Sequence, residues 1–85
     1  MMTWQEIRAH YPSLWLTVEA LNGRTANGER ILDKLSVIQA FQDPKRAMKL
    51  YAQLRRKNPG REFYVFHTDA QTANPDAMFD LWRMR

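Results

Sequence analysis

No cysteine occurs anywhere in this chain. That rules out disulfides and thiolate metal ligation and suits a reducing cytosol. Glycine is almost as scarce. Gly23, Gly28 and Gly60 stand far apart, so they read as turns and leave no glycine-rich loop to cradle a phosphate. His10 and His67 are the two histidines. A tetrahedral zinc site would need two further carboxylates, and no paired spacing offers them. No apolar run approaches the ~20 residues that span a bilayer. The opening Met1-Met2-Thr3-Trp4-Gln5-Glu6 lacks the basic-then-apolar pattern of a signal peptide. These absences together lead us to expect a cytoplasmic protein with no cofactor, no metal and no membrane association.

What the chain does contain is apolar and aromatic. It has 85 residues, of which 45% are hydrophobic and 12% aromatic, a composition that folds. The length bounds a single domain with a modest core, for which dimerisation is a common remedy. We expect one domain over residues 1–85, with a core of about residues 3–68 and a C-terminal helix over about 75–84. The formal charge of +4 is a mild bias towards acidic partners and weak evidence for nucleic acid.

The stretch from Arg61 to Thr68 is the most informative. Phe63 and Val65 alternate with Tyr64 and Phe66, so a strand here is apolar on both faces and needs cover on both. Upstream, Thr3 and Glu6 fit a capping box. Trp4, Ile7 and Tyr11 share a face of a short helix that Pro12 stops. Leu14, Leu16, Val18 and Ala20 then alternate as one face of a strand, with Trp15, Thr17, Glu19 and Leu21 opposite. Asn22-Gly23 and Asn27-Gly28 are turn signals that bracket a polar loop. The segment from Ile31 to Phe41 suits either strand or helix. Its β-branched content favours a strand, bulged near Asp33.

Asp43-Pro44 starts a helix with Asp as N-cap and Pro at the first helical position. Ala47, Leu50, Tyr51 and Leu54 form its apolar stripe, and Asn58-Pro59-Gly60 ends it. Asn74-Pro75-Asp76 repeats the start signal, and Met78, Leu81, Trp82 and Arg85 share a face of a last short helix. The expected fold is α+β, in the order α-β-β-α-β-α. A small three-stranded sheet carries the long helix on one face. Its first strand is central, and the long helix makes a right-handed crossover between the other two. The remaining face calls for the terminal helices or a second copy.

The residues Tyr11-Pro12, Trp15-Leu16 and Glu19-Ala20 are followed by Ile31-Leu32-Asp33, Leu35-Ser36-Val37-Ile38, Ala47 and Tyr51. Pro59 and the run from Arg61 to Thr68 complete the pattern. This pattern, from about Trp4 to Thr68, resembles a family of small uncharacterised bacterial proteins. The resemblance implies a shared fold and no particular activity. It also leads us to expect a charged segment after Thr68, whereas Met78-Phe79-Asp80-Leu81-Trp82 is apolar here.

Several residues stand out as candidate sites. The helix from Asp43 to Lys57 holds Lys45, Arg46, Lys49, Arg55, Arg56 and Lys57 against Asp43 alone. Lys45, Lys49 and Arg56 fall together opposite the apolar stripe. That face is either a solvated exterior or an anion- or nucleic-acid-binding surface made by Lys45, Arg46, Lys49 and Arg56. The helix dipole accounts for Arg55, Arg56 and Lys57, but not for Lys45 and Arg46. The glycines and basic residues of an RNA-stacking sheet are absent around Phe63, Tyr64 and Phe66. His67, Glu19 and Arg61 form a possible polar cluster, in which an inward Glu19 would need Arg61 or His67 as partner. A nucleophile would have to be Ser13, Ser36 or a threonine, and no Gly-x-Ser-x-Gly elbow exists. We therefore assign no catalytic residue. Tyr64, Phe66, Phe79 and Trp82 are the interface candidates. The leading expectation is a non-enzymatic protein-interaction module, homodimeric or accessory to a protein partner. A nucleic-acid binder using Lys45 to Lys57 is the alternative.

Overall fold

The computed structural model describes residues 2–21, 23–32 and 34–73. Helix α1 spans Trp4–His10, and its capping box is complete: Glu6 N–H donates to Thr3 Oγ1 while the Glu6 carboxylate accepts from Thr3 N–H. Strand β1 is Trp15–Ala20, β2 is Gly23–Ala26, β3 is Glu29–Leu32, β4 is Leu35–Phe41 and β5 is Phe63–His67. Helix α2 runs Pro44–Lys57, with the Asp43 carboxylate accepting from Lys45 N–H at 2.9 Å and Pro44 in the first turn. Asn58 closes α2, its side-chain amide donating to Leu54 O.

The domain is a small α+β fold. Its three-stranded sheet has the order β4-β1-β5, antiparallel throughout, with α2 packed on it. The central place of the first strand is as expected, and so is a strand over Leu35–Phe41, whereas Ile31 and Leu32, expected in that same strand, belong to β3. Two details differ. The supposed polar loop between Asn22 and Gly28 is a two-stranded ribbon in which β2 pairs β3. Asn27 (φ 53°) and Gly28 (φ 77°) both take positive φ between the paired Ala26 and Glu29. Those dihedrals suit the twist of a two-residue hairpin turn, and Asn-Gly is the dipeptide that adopts them at least cost. The strand order is thus longer than the six-element reading by one ribbon.

The second difference concerns the bulge. The position expected for it, Asp33, lies outside the described residues. The register shift is found further on, because Thr17 faces Gln39 while Val18 faces Val37. Ile38 is the extra residue, and it is exposed. The insertion changes the phase of the alternation along β4. Leu35, Val37 and Ala40 consequently all pack with one cluster, and Phe41 packs with the other.

Each sheet face has its own cluster. On the α1 side, Leu16, Val18, Leu35 and Phe66 pack with Trp4 and Ile7, and the Trp4 and Phe66 rings meet edge to face at 5.6 Å. On the α2 side, Phe63 and Val65 pack with Ala47 and Tyr51, flanked by Trp15, Phe41, Met48 and Leu54. The doubly apolar β5 therefore finds cover on both faces within one chain, at about 1.5–3 kcal/mol for each large side chain fully buried. Thr17 is buried beneath α2, where its hydroxyl donates to Ala47 O at 2.8 Å. This bond fixes which side of the helix meets the sheet, and so which side meets water.

Candidate functional site

Three places on this frame concentrate polar chemistry. The first is the pair Glu19–Arg61. Glu19 lies on the α2 side of β1 and is buried, only 7% exposed. Arg61, just before β5, donates from Nε to Oε2 at 2.6 Å and from Nη2 to Oε1. The hydrogen bonds to Glu19 hold the Arg61 guanidinium above its ordinary value. The same guanidinium lies 5.7 Å from the Phe63 ring centroid. A carboxylate taken out of water needs such a two-point partner, and the geometry is that of a lid over one end of the α2-side core.

The second place surrounds His67. It faces Trp15 in the sheet register, and the two rings meet edge to face at 4.7 Å. Its Nδ1 accepts from Asp69 N–H at 3.1 Å and lies 3.7 Å from Asp69 Oδ2. Glu19 pairs with Phe63 in the same register, four residues along β1 from Trp15, or about 13 Å. The structure therefore divides the expected cluster: Arg61 joins Glu19, and His67 joins Asp69. His10 is exposed beside Tyr11.

Ser13 belongs to this second group, and sequence reasoning undervalued it. Its φ is 53°, a left-handed conformation uncommon for serine, and its hydroxyl donates to Asp69 Oδ1 at 3.0 Å. Strain of this kind often marks function. Here the surrounding bonds give a mechanical account. Leu14 N–H donates to Thr68 Oγ1, Thr68 N–H donates to Leu14 O, and Arg8 Nε, Trp4 Nε1 and Gln5 Nε2 donate to the carbonyls of Thr68, Ala70 and Gln71. These bonds clamp α1 and the Pro12-Ser13 turn to the chain leaving β5. A nucleophilic serine hands its proton to a histidine nitrogen. Ser13 faces a carboxylate, and His67 Nδ1 already accepts a backbone proton.

The third place is the outer face of α2. Lys45, Arg46, Lys49, Arg55, Arg56 and Lys57 are all exposed, and the helix carries no acidic residue. Arg46 lies over Phe41 at 5.8 Å, and Arg55 lies over Tyr51 at 5.6 Å while donating to its hydroxyl. Among the described residues, no carboxylate pairs with Lys45, Lys49 or Arg56.

Of the interface candidates, Phe66 is 3% exposed and lies in the α1-side core. Tyr64 is half-buried, stacked on Phe66 at 5.6 Å with its hydroxyl bonded to Glu62. Phe79 and Trp82, with the expected last helix, lie outside the described residues. Among the described residues, Leu21 and Ile38 are the exposed large hydrophobic residues, and no sequence signal singled them out. Among the described residues, no buried side-chain nitrogen or oxygen lacks a hydrogen-bond partner. No three His, Cys, Asp or Glu among them are placed to hold a metal ion. No helix among them is long and apolar enough to cross a membrane.

No protein-family model, curated protein or solved structure matches this chain.

Proposed function

We propose that this chain is a small, non-enzymatic protein-interaction module that works as a homodimer, using the α1 side of its sheet. One observation carries the reading. That face is apolar across all three strands, yet among the described residues the helix over it has seven residues against fourteen for α2 on the other side. Trp4 and Ile7 are its buried contributions. Ala20, Leu32, Val37, Ala40 and Tyr64 remain half-buried around the cluster. A ring of half-exposed apolar side chains around a dry centre is what a second copy would cover. Light scattering during gel filtration at tens of micromolar tests it. The expected mass is twice the 10.1 kDa of one chain, falling towards one chain in Val37→Glu. A strict monomer overturns the homodimer.

A further inference from the structure

We propose that the outer face of α2 is a second binding surface, for the phosphodiester backbone of nucleic acid. It lies across the sheet from the face assigned to self-association, so the two can be occupied together.

The phase of α2 decides which side chains meet water. Ala47 and Tyr51 are buried against the sheet, and the Thr17 hydroxyl holds Ala47 in place. At about 100° per residue, this turns Lys45, Lys49, Ala52 and Arg56 to solvent with Gln53 beside them, and all five are exposed. Lys45 to Arg56 spans about 16 Å of axis. One strand of a duplex offers a charge roughly every 3.4 Å over such a length. Among the described residues, Glu19 is engaged with Arg61, Glu6 with Thr3, Glu62 with Tyr64 and Asp69 with Ser13. Asp43 caps the helix through Lys45 N–H. Arg46 and Arg55, stacked on Phe41 and Tyr51, flank the stripe with further positive charge.

The make-up of the face selects the partner. A protein interface centres on apolar anchors, and a membrane-surface helix inserts bulky apolar side chains. Tyr51, Met48 and Leu54 of α2 pack in the cluster beneath the helix. Its outer face offers cations and Gln53, and the one apolar residue among them, Ala52, is too small to anchor a protein or to enter a bilayer. A methyl group at that place also lets a phosphate backbone approach the helix closely. Lysine, arginine and glutamine are phosphate- and sugar-contacting side chains. Lys45 lies at the end of the helix where the dipole disfavours a cation, so local helix stability does not explain it. The expected binding is independent of base sequence.

Fluorescence anisotropy with a labelled 20-base-pair DNA duplex, a 20-nucleotide RNA strand and poly-glutamate provides the test. At 50 mM salt, duplex, single strand or both should bind. Neutralising three phosphates gives a log–log salt slope near −2.7 on the duplex, or about 40-fold weaker binding at 200 mM salt, and near −2.1 on the single strand, or about 18-fold. Lys45→Glu with Lys49→Glu should abolish binding. Glutamate near a helix N-terminus suits the dipole, so circular dichroism should find that variant folded. Lys45→Gln/Lys49→Gln/Arg56→Gln is the second variant, with the same expected loss. Lys34→Glu, an exposed charge change outside α2, should bind as the parent does. No binding to either nucleic acid at 50 mM salt, binding to poly-glutamate alone, or undiminished binding by the variants would each overturn the proposal. None of these results bears on the mass seen by light scattering, so this surface and the dimer stand or fall separately.

Discussion

Arg61 closes over Glu19, two nitrogens of its guanidinium meeting the two carboxylate oxygens while its plane rests near Phe63. The carboxylate is buried and the guanidinium is largely in water. The pair is therefore asymmetric. Removing Arg61 strands a charge inside the protein, whereas neutralising Glu19 leaves an arginine that water can solvate. Arg61→Ala should lower the urea midpoint more than Glu19→Gln does. Adding Glu19→Gln to Arg61→Ala should restore part of the loss. Equal losses from the two single variants would contradict this account.

The bond from Thr17 to Ala47 is buried and joins sheet to helix. Thr17→Val keeps the shape and removes the donor. The expected cost is about 1 kcal/mol, read from equilibrium unfolding.

At the ribbon turn, Gly28 has φ 77°, and a Cβ placed there would meet nothing within 4 Å. Only backbone strain opposes a side chain at this site. Gly28→Ala should therefore cost about 1 kcal/mol, and Gly28→Asn less, since asparagine tolerates the left-handed region.

Leu16 is fully buried and Ile38 is 41% exposed. Leu16→Ala should cost about 2–5 kcal/mol, a large share of the ~4–13 kcal/mol available to a chain of this size. Ile38→Ser should stay within about 0.5 kcal/mol. Thermal and urea melts of the two variants measure the contrast.

The capping box predicts an acid limb. The Glu6 carboxyl is held below its ordinary 4.5, chiefly by the hydrogen bond from Thr3 N–H and then by the Thr3 hydroxyl. A depressed folded value means that the contribution is fully present above the ordinary carboxyl value and is lost as pH falls through the folded one. Glu6→Gln should flatten the melting temperature between about pH 5 and 3. An unchanged acid limb would show that the charge of Glu6 contributes nothing to stability.

Much of this arrangement is legible locally. Thr3-x-x-Glu6, Asp43-Pro44 and Asn58-Pro59 state where helices begin and end, because each satisfies orphan backbone groups with its own neighbours. The alternation of Phe63 to Phe66 declares a strand covered twice. The ribbon was hidden because its residues, from Gly23 to Leu32, are mostly polar, and only the pairing from Gly23 with Leu32 to Ala26 with Glu29 reveals two strands there. The bulge was hidden because an extra residue at Ile38 exists only relative to the partner Thr17.

The candidate sites divide in the same way. The cations of α2 and the apolar stripe that turns them outward are properties of the chain alone, since helical periodicity fixes their relative phase. Which carboxylate each cation meets is not. Glu19 took Arg61 rather than His67 because strand register sets them at opposite ends of β1, and Ser13 met Asp69 because α1 folds back onto the chain leaving β5. Local hydrogen bonding and periodicity act over a few residues and can be read along the sequence. Pairing across the sheet depends on contacts between distant residues, which only the folded chain brings together.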